Sequence, residues 1–337
     1  MSHIYTHGAH YPEAHQAGDK LAHYMSADFI ALSDDLTVEE GRSTFLQQIS
    51  DDYFPTYVFI VCGAMLRGAL PNRALLQEEN VAKPITSLMT SDLVHAAPDD
   101  TRHETARLIE SRGMTLIPVT EHGRLVGCLA EKEIAHLLAD EATEDAQRQG
   151  ATLPLEKSHL EISPVGLWKK RALWLLLLFV AEAYTSSVIQ HFEEALESAI
   201  ALAFFIPLLI GTGGNSGTQI TSTLVRAMAL GEVRMADMGR VIRKEMTTAL
   251  MIAVTLAAAG CLRAWMMGIG PEITLIVSLT LLCITLWSAV VSSVIPMVIK
   301  RVGIDPAVVS APFIATLIDG TGLIIYFKIA QYFLGLS

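Results

Sequence analysis

VVSAPFIATLIDGTGLIIYFKIAQYFL, residues 308–334, is long and apolar enough to cross a bilayer as one α-helix, and its only acidic residue is Asp319, near the middle. A carboxylate at that depth is costly, and such residues mark ion or proton pathways more often than packing. Asp319 therefore reads first as an ion or proton site. Of the 337 residues 51% are hydrophobic, yet 18% are charged, a balance that fits neither a soluble enzyme nor a bare bundle of membrane helices. Residues 1–165 carry 12 Lys and Arg against 25 Asp and Glu, and residues 166–337 carry 12 against 10, a net −13 and +2 that make up the −11 of the whole chain. An acidic soluble half joined to a near-neutral apolar half argues against nucleic acid as a partner, because phosphate binding needs a basic footprint. It suits a protein that collects cations.

Four further apolar segments, 167–190, 196–226, 246–267 and 273–299, precede 308–334, each measured against the roughly 20 residues a spanning helix needs. Lys169, Lys170 and Arg171 open the first, Arg226, Arg234, Arg240, Arg243 and Lys244 join the second to the third, and Lys300 and Arg301 join the fourth to the fifth. The positive-inside rule puts these three places in the cytoplasm and the C-terminus outside. The opposite connections hold His191, Glu193, Glu194, Glu197 and Glu272, with Arg263 the one basic residue near that side. Glu182, in the first segment, is a second intramembrane carboxylate, and Trp168 and Trp174 flank that segment's start as interfacial anchors do.

The second segment contains PLLIGTGGNSGTQ, residues 207–219. One Pro, four Gly and the amides of Asn215 and Gln219 at membrane depth are expected to loosen the helix, a feature tolerated where it lines a pathway; close helix packing is the competing explanation. The stretch is no phosphate loop, since the lysine of that motif is missing and no strand precedes it. Asp319, Asn215, Thr212, Thr218 and Thr316 supply oxygen and no sulfur, which suits a hard cation such as Mg²⁺ that gives up its water reluctantly. Softer metals are disfavoured by that inventory.

The soluble half repeats itself. MSADFIALSDD at residue 25 aligns without a gap on MTSDLVHAAPD at residue 89, an offset of 64 that continues through Thr37 and Thr101. A helical stretch follows in each copy, then a hairpin-like run, YVFIVCGAMLRG from residue 57 and LIPVTEHGRLVG from residue 116. Two small α+β modules are expected. Cys62, Cys128, Cys261 and Cys283 show neither a disulfide framework nor zinc spacing. His3, His7, His10, His15 and His23 crowd the start, where no secretory signal is evident, and read as a flexible tail. No Ser-His-Asp, Cys-His or HExxH arrangement is present, so no enzyme activity is expected.

PLLIGTGGNSGTQ, followed later by DPAVVSAPFIATLIDGTGLIIYFKIA, resembles the transmembrane domain of the MgtE family of Mg²⁺ channels and transporters over residues 166–337. The resemblance implies a homodimer in the bilayer with its pore between protomers. Asp319 would bind a hydrated Mg²⁺, and Gly214, Asn215 and Gly217, with Thr316 nearby, would line the site. The repeated half is similar to a tandem cystathionine-β-synthase (CBS) pair over about 20–140, a module that senses adenine nucleotides such as ATP, or Mg²⁺. One departure is that the family's additional helical N-terminal domain has no counterpart in the roughly twenty residues before Lys20. The expected layout is a tail at 1–19, modules at 20–80 and 81–140, a plug-like connecting helix at 141–165 and a five-helix pore domain at 166–337. The fold class is thus an α-helical membrane bundle preceded by a cytosolic α+β regulatory domain. The expected function is downhill Mg²⁺ influx across the plasma (inner) membrane, gated at the modules by divalent ions or nucleotide. Asp34, Asp35, Asp51, Asp52, Asp99, Asp100, Glu131, Glu133, Asp140, Glu141, Glu144 and Asp145 are the acidic groups available for such gating. Two other readings are a secondary transporter, for Co²⁺ or for Mg²⁺ coupled to Na⁺ or H⁺, and a non-conducting membrane sensor.

Overall fold

The structure, a computed structural model, describes residues 20–49, 53–155, 158–306 and 309–335. The His-rich start and the carboxylates Asp51 and Asp52 lie outside the described residues. The chain divides into two compact units, Met1–Thr143 and Glu144–Ser337.

The first unit is built around one five-stranded sheet of order β1-β2-β3-β5-β4, from β1 (Ala31–Ser33), β2 (Tyr57–Cys62), β3 (Met65–Pro71), β4 (Ile117–Glu121) and β5 (Arg124–Leu129). β1 runs parallel to β2, and every other pairing is antiparallel. The 64-residue offset is realised in the helices: α1 spans Val38–Gln48 and α3 spans Arg102–Arg112. Both start by the same device. The hydroxyl of Thr37 accepts from the Glu40 N–H and that of Thr101 from the Glu104 N–H, so each threonine satisfies a donor the helix start leaves free. Two further helices follow the hairpins, α2 (Asn72–Gln77) and α4 (Glu131–Gln149).

The two modules are reciprocal rather than side by side. Leu21, Tyr24 and Met25, which lead the first copy, lie in the core of the second with Ile109, Ile117 and Leu129. Ile85, with Leu88 and Met89 packed on it, lies in the core of the first with Phe45, Val58 and Leu70. Two glycines permit the exchange. A β-carbon on Gly68 would lie 2.6 Å from the Thr90 carbonyl oxygen, and one on Gly127 would lie 3.0 Å from that of Ser26. Only a bare α-carbon lets these backbones pass so closely.

The expected connecting helix at 141–165 takes a different form. Its first part is the end of α4, which begins in the second module and stops at Gln149, and the next long helix starts at Pro164. Gly150 and Ala151, the latter at φ 55°, follow the stop.

In the second unit five helical stretches are long and apolar enough to cross a membrane. They are α5 (Pro164–His191); a short 3₁₀ turn, Ile200–Phe205, leading into α7 (Ile206–Ala229); α8 (Met238–Met266); α9 (Pro271–Arg301); and α10 (Ala311–Leu334), while α6 (Glu193–Ser198) is short. Ser163 caps α5 and Ser310 caps α10, each hydroxyl accepting a backbone N–H, and Gly335 ends α10 at φ 66°. α8 turns Ala249, Ala253, Ala257, Gly260 and Ala264 inward, a stripe of small residues against which α9 packs. α9 carries buried residues from Ile276 to Met297, and Ile284, Ile318, Leu323, Tyr326 and Phe327 join α7, α9 and α10 in one core. Much of α5, including Leu175, Leu176, Phe179 and Val180, is exposed, as suits a surface that meets acyl chains.

α7 contradicts the expectation of a loosened helix, because it runs unbroken through PLLIGTGGNSGTQ. Its glycines thin the helix. β-Carbons on Gly213 and Gly217 would lie 2.7 Å and 2.4 Å from side-chain carbons of Ile284 and Ile318 respectively. The irregular backbone comes earlier, at Ala199 and in the 3₁₀ turn, where the Tyr326 hydroxyl donates to the Leu202 carbonyl at 2.9 Å.

Candidate functional site

Asp319 lies midway along α10, and what faces it is the bare backbone of α7. A β-carbon on Gly214 would sit 3.2 Å from Asp319 Oδ1 and 3.3 Å from Ala315 Cβ. Because Gly214 is inside a continuous helix, its N–H is committed to that helix and offers the carboxylate nothing. Oδ1 is buried and has no hydrogen-bond partner. Glu182 of α5 is another carboxylate on a spanning helix. A buried carboxylate oxygen with no donor has the chemistry of a group able to take a cation.

The other sequence-predicted residues divide. Thr316, one turn before Asp319, donates its hydroxyl to the Pro312 carbonyl at 3.0 Å, which leaves its oxygen lone pairs able to accept. Asn215 is exposed on α7, and Gly211, Gln219 and Thr223 are exposed at the same four-residue spacing. This polar stripe runs along a helix of membrane-spanning length, where amides turned to lipid are unsatisfied. Gln219 thus shares its face with Asn215, and the spacing of the two amides was the signal that could have paired them. Gly217 is not brought to Asp319. Its missing side chain makes room for Ile318, Ser288 and Ser292, so its role is packing between α7, α9 and α10.

Among the described residues no three of His, Cys, Asp and Glu converge as a metal cage. Asp319 with neutral oxygens nearby suits an ion that keeps most of its water, as Mg²⁺ does.

Several acidic residues of the first unit are already engaged. Asp34 pairs with Arg67 and Asp99 with Lys20, both on the surface. Asp100 accepts the Ala97 N–H, and Glu133 accepts the Ala130 N–H. Asp140 accepts the Tyr24 hydroxyl at 3.0 Å, and Glu141 accepts Arg102 Nε at 2.8 Å. In the second unit Arg148 bridges Glu144 and Asp305, tying the end of α4 to the loop ahead of α10.

Residues 206–329 match the model of MgtE, a divalent cation transporter family, and residues 85–140 match that of the CBS domain. The magnesium transporter MgtE of Thermus thermophilus is 34% identical over 321 residues, covering 94% of this chain and 70% of that protein. The magnesium transporter MgtE of Enterococcus faecalis is 28% identical, covering 95% of this chain and 72% of that protein. A crystal structure of the cytosolic domain of the Mg²⁺ channel MgtE in complex with ATP is 26% identical, with a TM-score of 0.34, and covers 36% of this chain and 50% of that one.

Proposed function

The chain belongs to the MgtE family of divalent cation transporters, and from that premise we propose that it carries Mg²⁺ down its electrochemical gradient across the inner membrane, through a pore between two copies. The observation that carries the reading is Asp319: a buried carboxylate oxygen without a donor, set against Gly214. Asp319 holds a hydrated Mg²⁺ by its charge, while Asn215 and Thr316 offer oxygen to the water shell. The second copy brings the same carboxylate and closes off the polar stripe of Asn215 and Gln219 from lipid. An inside-negative potential supplies about 2.3 kcal/mol per charge per 100 mV, so about twice that for a divalent ion, and no ATP hydrolysis is needed.

In this reading the first unit is cytoplasmic and the C-terminus lies outside, as the Lys and Arg distribution directs. The paired modules regulate. Mg²⁺ bound among carboxylates such as Asp35 and Glu131 relieves repulsion between the module pairs of two copies, and the change reaches the pore through α4. A nucleotide at the CBS modules adjusts that response without being consumed.

Flux into proteoliposomes tests the reading. With Mg²⁺, Co²⁺ or Mn²⁺ offered at an ionophore-set potential, the wild type is expected to take up Mg²⁺ at a rate set by the potential alone, and Asp319→Asn to lose that uptake. Dependence on a counter-ion gradient would instead indicate coupled exchange, and no flux at all a sensor. Wild-type rates in Asp319→Asn would remove the proposed site.

A further inference from the structure

Most hydroxyls on the spanning helices spend their hydrogen on the backbone one turn back. Thr280 donates to the Ile276 carbonyl and Thr285 to that of Leu281, both at 2.7 Å, and Thr321 donates to Leu317 at 2.8 Å. Ser288 instead crosses to the Gly213 carbonyl of α7 at 2.9 Å. Thr221 and Ser292 do neither. They are 1% and 0% exposed, and neither hydroxyl has a hydrogen-bond partner. Native interiors rarely leave such groups unmet, and each one calls for a reason.

Both face one seam. A β-carbon on Gly217 would lie 2.9 Å from Ser292 Oγ, which puts that hydroxyl against α7 at the level of Gly217. Gly213 meets Ser288, and Gly217 meets Ser288 and Ser292, so α7 and α9 run in the same direction along this contact. Thr221, buried on the same face of α7, is one turn further along.

Pro296 lies inside α9. It has no N–H, so the carbonyl of Ser292, four residues earlier, lacks its helical donor. Helix carbonyls point toward the C-terminal end, and this one therefore points along α9 in the direction in which Thr221 follows Gly217 on α7.

The seam thus gathers two unpartnered hydroxyl oxygens and one released carbonyl oxygen, all uncharged. A divalent ion would want carboxylates there and would hold on to its water. An alkali cation accepts neutral hydroxyl and carbonyl oxygens, and carbonyls freed at a helix irregularity within a membrane are a recurrent way to bind one. We propose that Thr221, Ser292 Oγ and the Ser292 carbonyl form a Na⁺ site inside each chain, distinct from Asp319. Sodium held there braces the Gly217 face of α7 against α9, from behind the helix that presents Gly214 to Asp319.

The test is equilibrium binding of radiolabelled Na⁺ to the purified full-length protein in detergent, in buffer free of Mg²⁺, with N-methyl-D-glucamine holding ionic strength. Saturable binding of one ion per chain is expected. Thr221→Val and Ser292→Ala should each weaken it by about tenfold or more, as loss of one oxygen ligand does. Thr221→Ser, which keeps the hydroxyl, should retain binding, and so should Asp319→Asn. The two weakening variants sit on different helices, so a folding failure in one leaves the other decisive. Absence of saturable binding would mean that the hydroxyls meet water only, and would overturn the proposal. So would binding lost in Asp319→Asn yet unchanged in Thr221→Val and Ser292→Ala, which would place the ion at the carboxylate. The assay contains no Mg²⁺ and reads no flux, so its outcome is independent of the transport reading.

Discussion

Asp319 and Gly214 meet so closely that a single methyl group on the glycine would lie 3.2 Å from the carboxylate oxygen. This contact ties the intramembrane charge of α10 to the small-residue face of α7, and it leaves the charge no protein donor on that side.

Gly214→Ala is therefore expected to move the carboxylate by a few tenths of an ångström while leaving the helix intact, since alanine favours helix over glycine by about 1 kcal/mol. Mg²⁺ uptake by proteoliposomes should fall and thermal stability in detergent should hold. Gly217→Ala should do the reverse. Its methyl would lie 2.4 Å from Ile318 Cδ1, an overpacking that costs about 1–3 kcal/mol, and Ile318→Val should restore part of the lost stability. Equal effects of the two substitutions on uptake would refute the division between a glycine beside the charge and a glycine in the packing.

The glycine cluster also marks where sequence reasoning reached its limit. Helical glycines that thin a helix and glycines that break one have the same composition, so GTGG in α7 did not disclose that the helix continues through it. What separates the two is the partner. Ile284, Ile318 and Ala315 fill the space, and they come from other helices. Asp319, by contrast, stood out because its cost is local: a carboxylate within an apolar span is conspicuous whatever surrounds it. The orphaned hydroxyls of Thr221 and Ser292 were not legible, since whether a helical Ser or Thr bonds to its own backbone is decided by rotamer and packing.

The same limit applies to the soluble unit. The repeat was plain from its offset, and the caps at Thr37 and Thr101 follow it to the residue. The exchange of leading segments was hidden, because a segment that packs on its own copy and one that packs on the other copy show the same offset. The exchange predicts a hierarchy. Gly68→Ala places a methyl 2.6 Å from a backbone carbonyl that cannot yield, and Gly127→Ala places one at 3.0 Å. Both should destabilise the modules, Gly68→Ala the more, by a few kcal/mol at most. Limited proteolysis of the full-length protein should show the first cleavage within residues 20–143 in each variant. Unchanged protection in Gly68→Ala would mean that the two segments do not pack crosswise.

Glu141 carries a pH dependence whose sign can be worked out. Burial pushes its carboxyl up, but hydrogen bonds from His103 and Arg102, with the charge of Arg102, outweigh burial and hold it below the usual carboxylate range. A group depressed in the folded state contributes stability above its unfolded value, about 4.3, and that contribution is lost as pH falls through the lower folded value. Wild-type thermal stability should therefore drop on acidification below about pH 4 by more than that of Glu141→Gln, which has no proton to take up there. At neutral pH Glu141→Ala removes the carboxylate that accepts from Arg102 Nε, a side chain 4% exposed, and should cost about 1.5–3 kcal/mol, as loss of a hydrogen bond to a charged group does. Parallel melting curves of wild type and Glu141→Gln between pH 7 and pH 3 would disprove the assignment.

The polar stripe of α7 makes a prediction about access of water to the helix. Gly211, Asn215 and Gln219 are exposed along one face, whereas Gly213, Thr221 and Val225 are buried within the chain. If the exposed face lines an aqueous path between two copies, a cysteine there is reachable by a charged, membrane-impermeant thiol reagent, and a cysteine on the buried face is not. In a background with Cys62, Cys128, Cys261 and Cys283 replaced by serine, Asn215→Cys and Gln219→Cys should react in intact proteoliposomes, and Val225→Cys should not. Thiols ionise before they react, so labelling also reports water at that depth. Mg²⁺ present during labelling should slow the reaction at residue 215, next in sequence to Asp319's neighbour Gly214, more than at residue 219, a turn further along the helix. Labelling of Asn215→Cys only after detergent is added would place this face in lipid or in a dry interface, and would detach the amides of α7 from the path of the ion.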